Sequence, residues 1–520
     1  MELKKANLHM DHVKCQINTQ ITLEEDKNIS DRNPDADRIL LEKGRVIIEE
    51  MRPAAESLYL KGKLNYEVLY SSDDDEGKLY RIQGEIPWEE KVRVEGMEST
   101  DTPQVTANIE DLRSNLINSR KVNIRGLVNF CISSREIKDN EVLLDVENLE
   151  QIEVKKEPYS QSVIVVDKKD IFRIKEDLEL PASLPAIGEV IWKNLELGKW
   201  EIKPLEDAIG IQGEVHLFIL YESAEEESQL KTYETIIPFS GNIECTGTNS
   251  CMVADITPVI GYENLGVKPD YDGEDRVLDV EMVLEIPIRI YENRDMEQVT
   301  DIYGTSMEVV PEYSKRKCRR MRDKCQGRIK VNHNLKLPAS SGKILQICHV
   351  TGRIVVEDSK IKNEGLEIEG ILNMSVLYVT DSEYRKYEML KKEIPFSYEM
   401  NHVTLCEKCK WKINPVIEQC QAVILDENNI EVKIVACMDL MVEEWGENLS
   451  VCNIRVKPFE EEVMNNSPGM VVYIPTQKEN IWNVGKHYGI SRESIREINQ
   501  LSGDEIQKGQ KILLVKNMCG

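Results

Sequence analysis

Cys406 and Cys409 are separated by two residues, and this spacing suits metal binding or thiol chemistry. Cys420 and Cys437 follow in the same part of the chain, so the four cysteines could form a zinc site. Structural zinc sites normally contain two close pairs of ligands, and only one close pair is present here. We therefore predict ordinary thiols and no metal, with Cys406 and Cys409 as a weak metal candidate.

No other group of residues indicates catalysis. The histidines are scattered, and the chain has no His-Glu-x-x-His motif, no Gly-x-Ser-x-Gly motif and no Walker loop. We therefore expect a protein without enzymatic activity and without a cofactor. An enzyme whose site residues converge from distant positions stays open as an alternative.

The charge of the chain limits its partners. The 520 residues carry a formal net charge of −27, which repels phosphate backbones and anionic lipid. Nucleic acid and direct insertion into a membrane are therefore not expected. One basic run, Lys315–Cys325, interrupts the acidic sequence. We interpret it first as a solvated linker, then as a docking site for an acidic protein surface or a second copy of this chain, and last as a nucleic-acid patch.

The sequence also gives an expectation about the compartment. No apolar run follows Lys4 and Lys5, and no apolar stretch approaches the roughly 18 residues that a membrane span needs. The thirteen cysteines are an odd number. These features predict reduced thiols and a cytoplasmic protein.

Three copies of one β unit dominate the chain. The segments Leu58–Tyr70, Ile209–Tyr221 and Leu366–Tyr378 each have glycine at the fifth position and end in Leu-Tyr, and a proline follows each glycine after 25 residues. We expect the glycine to allow a bulge or a close backbone approach, and the proline to start a strand. The shared residues are Gly62, Tyr70 and Pro87, then Gly213, Tyr221 and Pro238, then Gly370, Tyr378 and Pro395.

Apolar residues alternate with polar ones in these segments, which predicts half-buried strands. A longer alternating strand, residues 278–290, contains Pro287 and is therefore expected to be an edge strand or to be bulged there. Short alternating strands with few helical patterns predict an antiparallel sandwich or barrel in each unit. The fold class is therefore mainly β, with three tandem repeats that form a long modular body.

The domain boundaries are placed where this alternation is lost. The predicted units are repeat 1 with an N-terminal strand at 1–156, a polar linker at 157–162, repeat 2 at 163–299, a basic linker at 300–325, repeat 3 at 326–446, a further linker at 447–469 and a C-terminal module at 470–516. In the module, helical spacing after Ile481, a stop at Gly489 and a cap at Ser491 predict the order strand, helix, helix, strand.

The C-terminal module resembles a LysM domain. The residues that carry the resemblance are Tyr473, Ile481-Trp482, His487–Ser491, Asn499, Leu501 and Ile506–Val515. The triplicated β unit is similar to a domain found in tandem in clostridial spore-coat assembly proteins. Tandem copies of that domain followed by a LysM domain resemble the SipL-like family of coat morphogenetic proteins.

This resemblance implies a binding role for the module. LysM domains that bind N-acetylglucosamine polymers usually have Gly-Asp-Thr or Gly-Asp-Ser before a Leu-Trp pair, where this chain has Lys478-Glu479-Asn480, and Gly485 stands where alanine is common. A lysine side chain fills space in which glycine lets the backbone approach the sugar. We therefore favour protein binding.

The family implies that the module contacts a SpoIVA-type ATPase, which forms the base layer of the coat. We expect the contact to involve Lys478, Glu479, Asn480, Ile481, Trp482, Asn499 and Leu501. The alternative is that Ile481 and Trp482 are core residues at helical spacing.

The resemblance as a whole implies a non-enzymatic scaffold in the mother-cell cytoplasm, at the forespore surface. Several weak contacts would recruit other coat proteins once one module is anchored, and the chain could also associate with itself. The alternative is a wall or cortex protein that binds peptidoglycan. Two features disfavour it: the Lys478–Asn480 loop differs from that of sugar-binding LysM domains, and the sequence predicts no secretory signal.

Overall fold

The computed structural model describes most of the chain and is mainly β, as predicted. The described residues are 2–72, 78–147, 151–224, 230–338, 342–362, 365–382, 385–401, 403–458 and 469–515. They form three β repeats followed by a small module with two helices.

The first repeat consists of two three-stranded antiparallel sheets. Its strands are β1 (Glu2–Asn28), β2 (Arg38–Ala54), β3 (Ser57–Ser71), β4 (Leu79–Arg93), β5 (Gln104–Asn118) and β6 (Lys121–Glu147). The sheet orders are β1-β6-β5 and β2-β3-β4. Side chains of both sheets, among them Leu64, Tyr66 and Phe130, share one hydrophobic core. The repeat is therefore a sandwich.

The second repeat has the same plan with one additional short strand. Its strands are β7 (Ile152–Glu179), β8 (Ile187–Leu205), β9 (Ala208–Ser223), β10 (Leu230–Glu244), β11 (Val253–Asp255), β12 (Val259–Pro269) and β13 (Asp275–Gly304). One sheet has the order β8-β9-β10, and in the other β13 pairs with β7, β11 and β12.

The third repeat follows the first closely. Its strands are β14 (Glu308–Lys336), β15 (Ile344–Lys362), β16 (Gly365–Thr380), β17 (Tyr387–Asn401), β18 (Cys409–Asp426) and β19 (Asn429–Lys457). The sheet orders are β14-β19-β18 and β15-β16-β17.

The repeated glycine makes room for an aromatic ring and for a neighbouring bulge, which confirms its predicted role. Gly62 on β3 lies opposite Trp88 on β4, and the register with β2 shifts beside it, next to Ile48. A Cβ atom at Gly62 would lie 2.7 Å from the Trp88 ring and would overlap the carbonyl oxygen of Ile47. The same close approach recurs at Gly213 with Phe239 and at Gly370 with Phe396.

The repeated tyrosine is a core residue. Tyr70, Tyr221 and Tyr378 are all buried. The hydroxyl of Tyr70 donates to the carbonyl oxygen of Pro34 at 3.2 Å, and that of Tyr221 donates to Pro185 at 3.1 Å. These bonds connect the end of the glycine-bearing strand, β3 or β9, to the loop that precedes β2 or β8.

The prolines occupy positions where a missing N–H costs little. Pro87, Pro238 and Pro395 lie inside the edge strands β4, β10 and β17, so the expectation that they start strands is wrong. Pro287 lies in the central strand β13, which corrects the expectation of an edge strand. Its pairing with β12 ends at Glu285 and that with β11 ends at Arg289, so Pro287 faces the gap between those two strands.

The predicted linkers are strands. β7 includes residues 157–162, β13 and β14 include nearly all of 300–325, and β19 continues to Lys457. The linker prediction is therefore wrong for these residues, while 459–468 lie outside the described residues. The alternation is lost there because these stretches pack against other repeats rather than inside one sandwich.

The first and last strands of each repeat extend beyond its sandwich, and these extensions meet. Leu143, Val299 and Val451, one from each repeat, lie beside a register shift in their strand pairs. They pack in one cluster together with Val146, Ile302 and Ile454. We call the region where the three long strand pairs meet the hub. The body is therefore a three-lobed cluster around the hub, which corrects the expectation of a long modular body.

The repeats also contact one another in a closed ring. The guanidinium of Arg45 in repeat 1 donates to the carbonyl oxygen of Ile260 in repeat 2. Lys199 in repeat 2 pairs with Glu418 in repeat 3 at 3.7 Å. Arg353 in repeat 3 donates to the carbonyl oxygen of Ile109 in repeat 1 at 2.5 Å. Each of these basic residues follows a glycine at the same place in its repeat, so equivalent positions contact the neighbouring repeat at all three junctions.

The C-terminal module has the predicted order of strand, helix, helix and strand, with one additional short pair of strands. Its elements are β20 (Met470–Tyr473), β21 (Glu479–Asn480), α1 (Ile481–Tyr488), α2 (Arg492–Asn499), β22 (Glu505–Ile506) and β23 (Ile512–Val515). Asn480 and Ser491 cap the two helices, and Gly489 ends α1 with a φ of 66°. Among the described residues, no helix has the length and apolar character that crossing a membrane requires.

Candidate functional site: the C-terminal module

Three of the predicted partner-binding residues hold the module together. Ile481 is fully buried in the core, and Leu501 packs against that core. The side chain of Asn499 accepts from the Leu513 N–H at 2.6 Å and donates to the carbonyl oxygens of Leu513 and Ile495 at 2.8 and 2.9 Å. For Ile481, the structure supports the core interpretation that the sequence left open.

Trp482 is buried between the module and the second repeat. Its indole N–H donates to Asp301 at 2.8 Å, and its ring meets Tyr303 edge to face at a centroid distance of 5.0 Å. The guanidinium of Arg492 lies 5.1 Å from the centre of the same ring. Trp482 therefore makes a contact within the chain.

Further polar contacts complete this docking interface. Lys486 pairs with Asp301 at 2.6 Å, Arg492 pairs with Glu153 at 2.8 Å, and the Tyr303 hydroxyl donates to the carbonyl oxygen of Ile490 at 2.9 Å. Burial opposes ionisation of Asp301, but the bonds from Lys486, Trp482 and Tyr313 outweigh it and lower its pKa. The carboxylate is therefore charged at neutral pH and accepts the bonds from Trp482 and Lys486.

Gly485 is the sequence signal that could have indicated this interface. A Cβ atom there would lie 2.7 Å from the carbonyl oxygen of Ile490 and would overlap the Tyr303 hydroxyl. An alanine would therefore separate the module from repeat 2. The partners Asp301, Tyr303 and Glu153 were not predicted, because nothing near them in the sequence marks a contact with the module.

The opposite side of the module forms an open groove. Its volume is about 590 Å³, and its lining includes Tyr473, Lys478, Glu479, Asn480, His487 and Tyr488. Lys478 pairs at 2.6 Å with Glu505, which also lines the groove, and both side chains are exposed. The Glu479 carboxylate accepts from the Tyr473 hydroxyl at 2.7 Å. The structure thus brings Lys478, Glu479 and Asn480 together in an accessible groove and separates them from Ile481 and Trp482.

We expect replacement of Asp301 by alanine to release the module from repeat 2 without unfolding it. The change removes the acceptor for Trp482 and Lys486, and hydrogen bonds to a charged group contribute about 2 kcal/mol each. Hydrogen exchange should then increase in residues 481–499. The matched control is Asp145→Ala, because Asp145 pairs with Lys156 outside the module. Unchanged exchange in Asp301→Ala would contradict the docking.

The cysteines do not form the four-ligand site that the sequence allowed. The Sγ atoms of Cys406 and Cys409 are 3.0 Å apart, but Cys420 lies eleven residues further along β18, which is roughly 36 Å of extended strand. Among the described residues, no group of three or more histidine, cysteine or acidic side chains is arranged to hold a metal ion.

A cavity of about 460 Å³ between repeats 2 and 3 is lined by His216 and His349. Burial lowers the pKa of His349 to about 3, so its ring is neutral at physiological pH. This ring stacks on Phe218 with centroids 3.7 Å apart. The histidine therefore acts as an aromatic packing residue at the junction of the two repeats.

The basic run lies in β14, and part of it enters the hub. Arg319 is buried and pairs with Asp11 of repeat 1 at 3.4 Å and with Glu443 at 3.6 Å. Its guanidinium also lies 4.6 Å from the centre of the Tyr291 ring in repeat 2. The interpretation of this run as a solvated linker is therefore wrong. Its charges contact acidic and aromatic side chains of this same chain.

A comparison with protein families matches the three β repeats. The family model described as "SipL, SPOCS domain" matches residues 35–117, 186–268 and 343–425. These segments span strands β2–β5, β8–β12 and β15–β18, and they leave out the long first and last strands of each repeat, which build the hub. No curated protein and no solved structure matches the chain. In its three β repeats, the chain is similar to the SPOCS domain of SipL.

Proposed function

We propose that the chain is a non-enzymatic scaffold for spore coat assembly. The three matches to the SPOCS domain of SipL support a sporulation-related coat protein. The closed ring of repeats supports a structural role, since it offers several outward faces on one body. On this proposal the protein acts at the forespore surface in the mother-cell cytoplasm, where it gathers other coat proteins.

The module in this proposal is a LysM-type domain that binds a SpoIVA-type ATPase of the basal coat layer. The observation that carries it is the orientation of the module. The face with Trp482 is occupied by repeat 2, and the groove with Lys478, Glu479 and Asn480 remains accessible. A groove lined by charged side chains suits a protein surface with complementary charges.

Peptidoglycan is the second candidate ligand for the same groove. Tyr473 and Tyr488 line it, and their rings lie 5.9 Å apart. Aromatic rings have a large apolar face and, in tyrosine, a polar hydroxyl, which together suit a sugar. Against this candidate stand the Lys478 and Glu479 side chains, which fill the rim of the groove with charge.

We expect Lys478→Glu in the full chain to weaken binding to a purified SpoIVA-type protein roughly tenfold, or about 1.4 kcal/mol. The change reverses the charge at the rim and places two carboxylates next to each other, because Glu505 is the ion-pair partner of Lys478. Binding is measured by titration calorimetry, and sedimentation with peptidoglycan is measured in parallel.

The matched control is Lys508→Glu, an exposed lysine of the same module outside the groove. Equal binding of both variants to the SpoIVA-type protein would refute the groove as its site. Binding of the unmodified chain to peptidoglycan but not to the protein would replace the coat scaffold by the wall-binding alternative.

A further inference from the structure

Cys406 and Cys409 form a close pair of thiols in a tight turn before β18. The Cys409 N–H donates to the carbonyl oxygen of Cys406 at 2.9 Å, and the Cys406 N–H donates to the Cys409 sulfur at 3.3 Å. The two sulfur atoms are 3.0 Å apart. Cys409 is buried and Cys406 is half-buried. The turn thus holds two sulfur atoms in contact and leaves one of them accessible to small molecules.

The two thiols differ in their ability to ionise. The hydrogen bond from the Cys409 thiol lowers the pKa of Cys406, and the Lys408 N–H and the charge of Arg322 act in the same direction. Burial, followed by the bond to Cys406, raises the pKa of Cys409. Because the thiolate is the nucleophile, Cys406 is the attacking sulfur and Cys409 the resolving one.

Other cysteines of the chain lie in environments that suppress this chemistry. Burial raises the pKa of Cys348 and of Cys437 to about 11, and that of Cys420 to about 12. Inert thiols of this kind stay protonated at neutral pH. The contrast within one protein separates the pair at Cys406 and Cys409 from these core thiols.

We propose that Cys406 and Cys409 are a reversible redox site that reacts with low-molecular-weight disulfides. The Cys406 thiolate attacks one sulfur of the disulfide, which forms a mixed disulfide and releases one thiolate. Cys409 then loses its proton to solvent and attacks the Cys406 sulfur, which forms the intrachain disulfide and releases the second thiolate. Two protein thiols are oxidised and one external disulfide is reduced to two thiols.

The site lies where its oxidation state can affect the hub. The Trp445 N–H donates to the carbonyl oxygen of Lys408, inside the turn, at 3.0 Å. The Trp445 ring in turn lies 5.9 Å from the guanidinium of Arg319, which enters the hub. A disulfide restricts the turn and with it the backbone of β19 at Trp445. Exchange of the Trp445 amide is therefore expected to slow on oxidation.

The test equilibrates the full-length protein in buffers of different ratios of oxidised to reduced glutathione. The samples are quenched with acid, alkylated, digested and analysed by mass spectrometry. We expect the peptide that contains Cys406 and Cys409 to lose both alkylations together, at ratios that leave Cys420 and Cys437 fully alkylated, and to recover them with dithiothreitol. Full alkylation of Cys406 in excess oxidised glutathione would overturn the proposal.

Two variants test the order of attack. Cys409→Ser is expected to accumulate a glutathione adduct on Cys406, whereas Cys406→Ser is expected to accumulate none on Cys409. The matched control is Cys251→Ser, which removes an exposed cysteine and should leave the disulfide unchanged. If Cys409→Ser gives no adduct, Cys406 is not the nucleophile. Peptide mapping of the unmodified protein decides the existence of the disulfide even if a variant does not fold.

Discussion

Replacement of Gly62 by alanine is expected to destabilise the first repeat by about 2–3 kcal/mol. On its own, an alanine in place of glycine restricts the unfolded chain and stabilises a protein by about 0.4–1 kcal/mol. That gain is outweighed here because the new Cβ atom would overlap the carbonyl oxygen of Ile47 and approach the Trp88 ring to 2.7 Å. Strands β2, β3 and β4 must then move apart.

The measurement is the midpoint of thermal unfolding, together with hydrogen exchange in β3 as a local readout. Gly266→Ala is the matched control because Gly266 also lies in a strand, β12, and its added Cβ atom would be 3.7 Å from the nearest atom. This control should be neutral or slightly stabilising. Equal effects of both substitutions would show that the repeated glycine is not required by the packing of Trp88.

The arrangement within each repeat could be predicted from the sequence because its signals are local. Alternation of apolar residues marks the strands, and the fixed step from Gly62 to Pro87 recurs in all three copies. The close approach at the glycine followed from that pattern. The role of Pro87 did not, because the sequence does not show that β4 is an edge strand and tolerates a proline in its middle.

The contacts at the hub could not be predicted, because equivalent positions there carry different residues. Asp11, Ser162 and Arg319 occupy the same place in the three long strand pairs, two residues before a register shift. A carboxylate, a hydroxyl and a guanidinium do not form a recognisable repeat. Nothing local therefore indicates that they meet at a common centre.

The two faces of the C-terminal module also differ in how far the sequence predicts them. Lys478, Glu479 and Asn480 are adjacent in the sequence, so their common location in the groove could be foreseen. Trp482 and Asp301 are 181 residues apart, and their contact depends on how the module docks on repeat 2. Sequence periodicity shows only that Trp482 is shielded from water, and it does not identify the partner.

The second large effect is expected at the hub, where Asp11→Ala should destabilise the body by about 3–5 kcal/mol. The buried Asp11 carboxylate pairs with Arg135 of its own repeat at 2.6 Å and with Arg319 of repeat 3 at 3.4 Å, and it accepts from the Tyr291 hydroxyl of repeat 2 at 2.7 Å. Its removal leaves two partly or fully buried guanidinium groups without this partner. The control is Asp139→Ala, which removes an exposed partner of His9 on the same strand pair and should change little.

The pH dependence of this effect distinguishes loss of a charge from loss of volume. Burial opposes ionisation of Asp11, but Arg135, the Tyr291 hydroxyl and Arg319 outweigh it, so the pKa of Asp11 is lowered in the folded protein. The contribution of the Asp11 charge to the free energy of unfolding is therefore complete above the unfolded-state pKa of about 3.9. It is lost as the pH falls through the lower folded-state pKa. The difference in unfolding midpoint between the unmodified protein and Asp11→Ala should be constant from pH 5 to 7 and shrink below about pH 4.

A difference that stays constant into acid would mean that Asp11 stabilises the hub by packing. Because Asp11 joins one residue from each repeat, a charge effect would also show that the three lobes depend electrostatically on a single carboxylate.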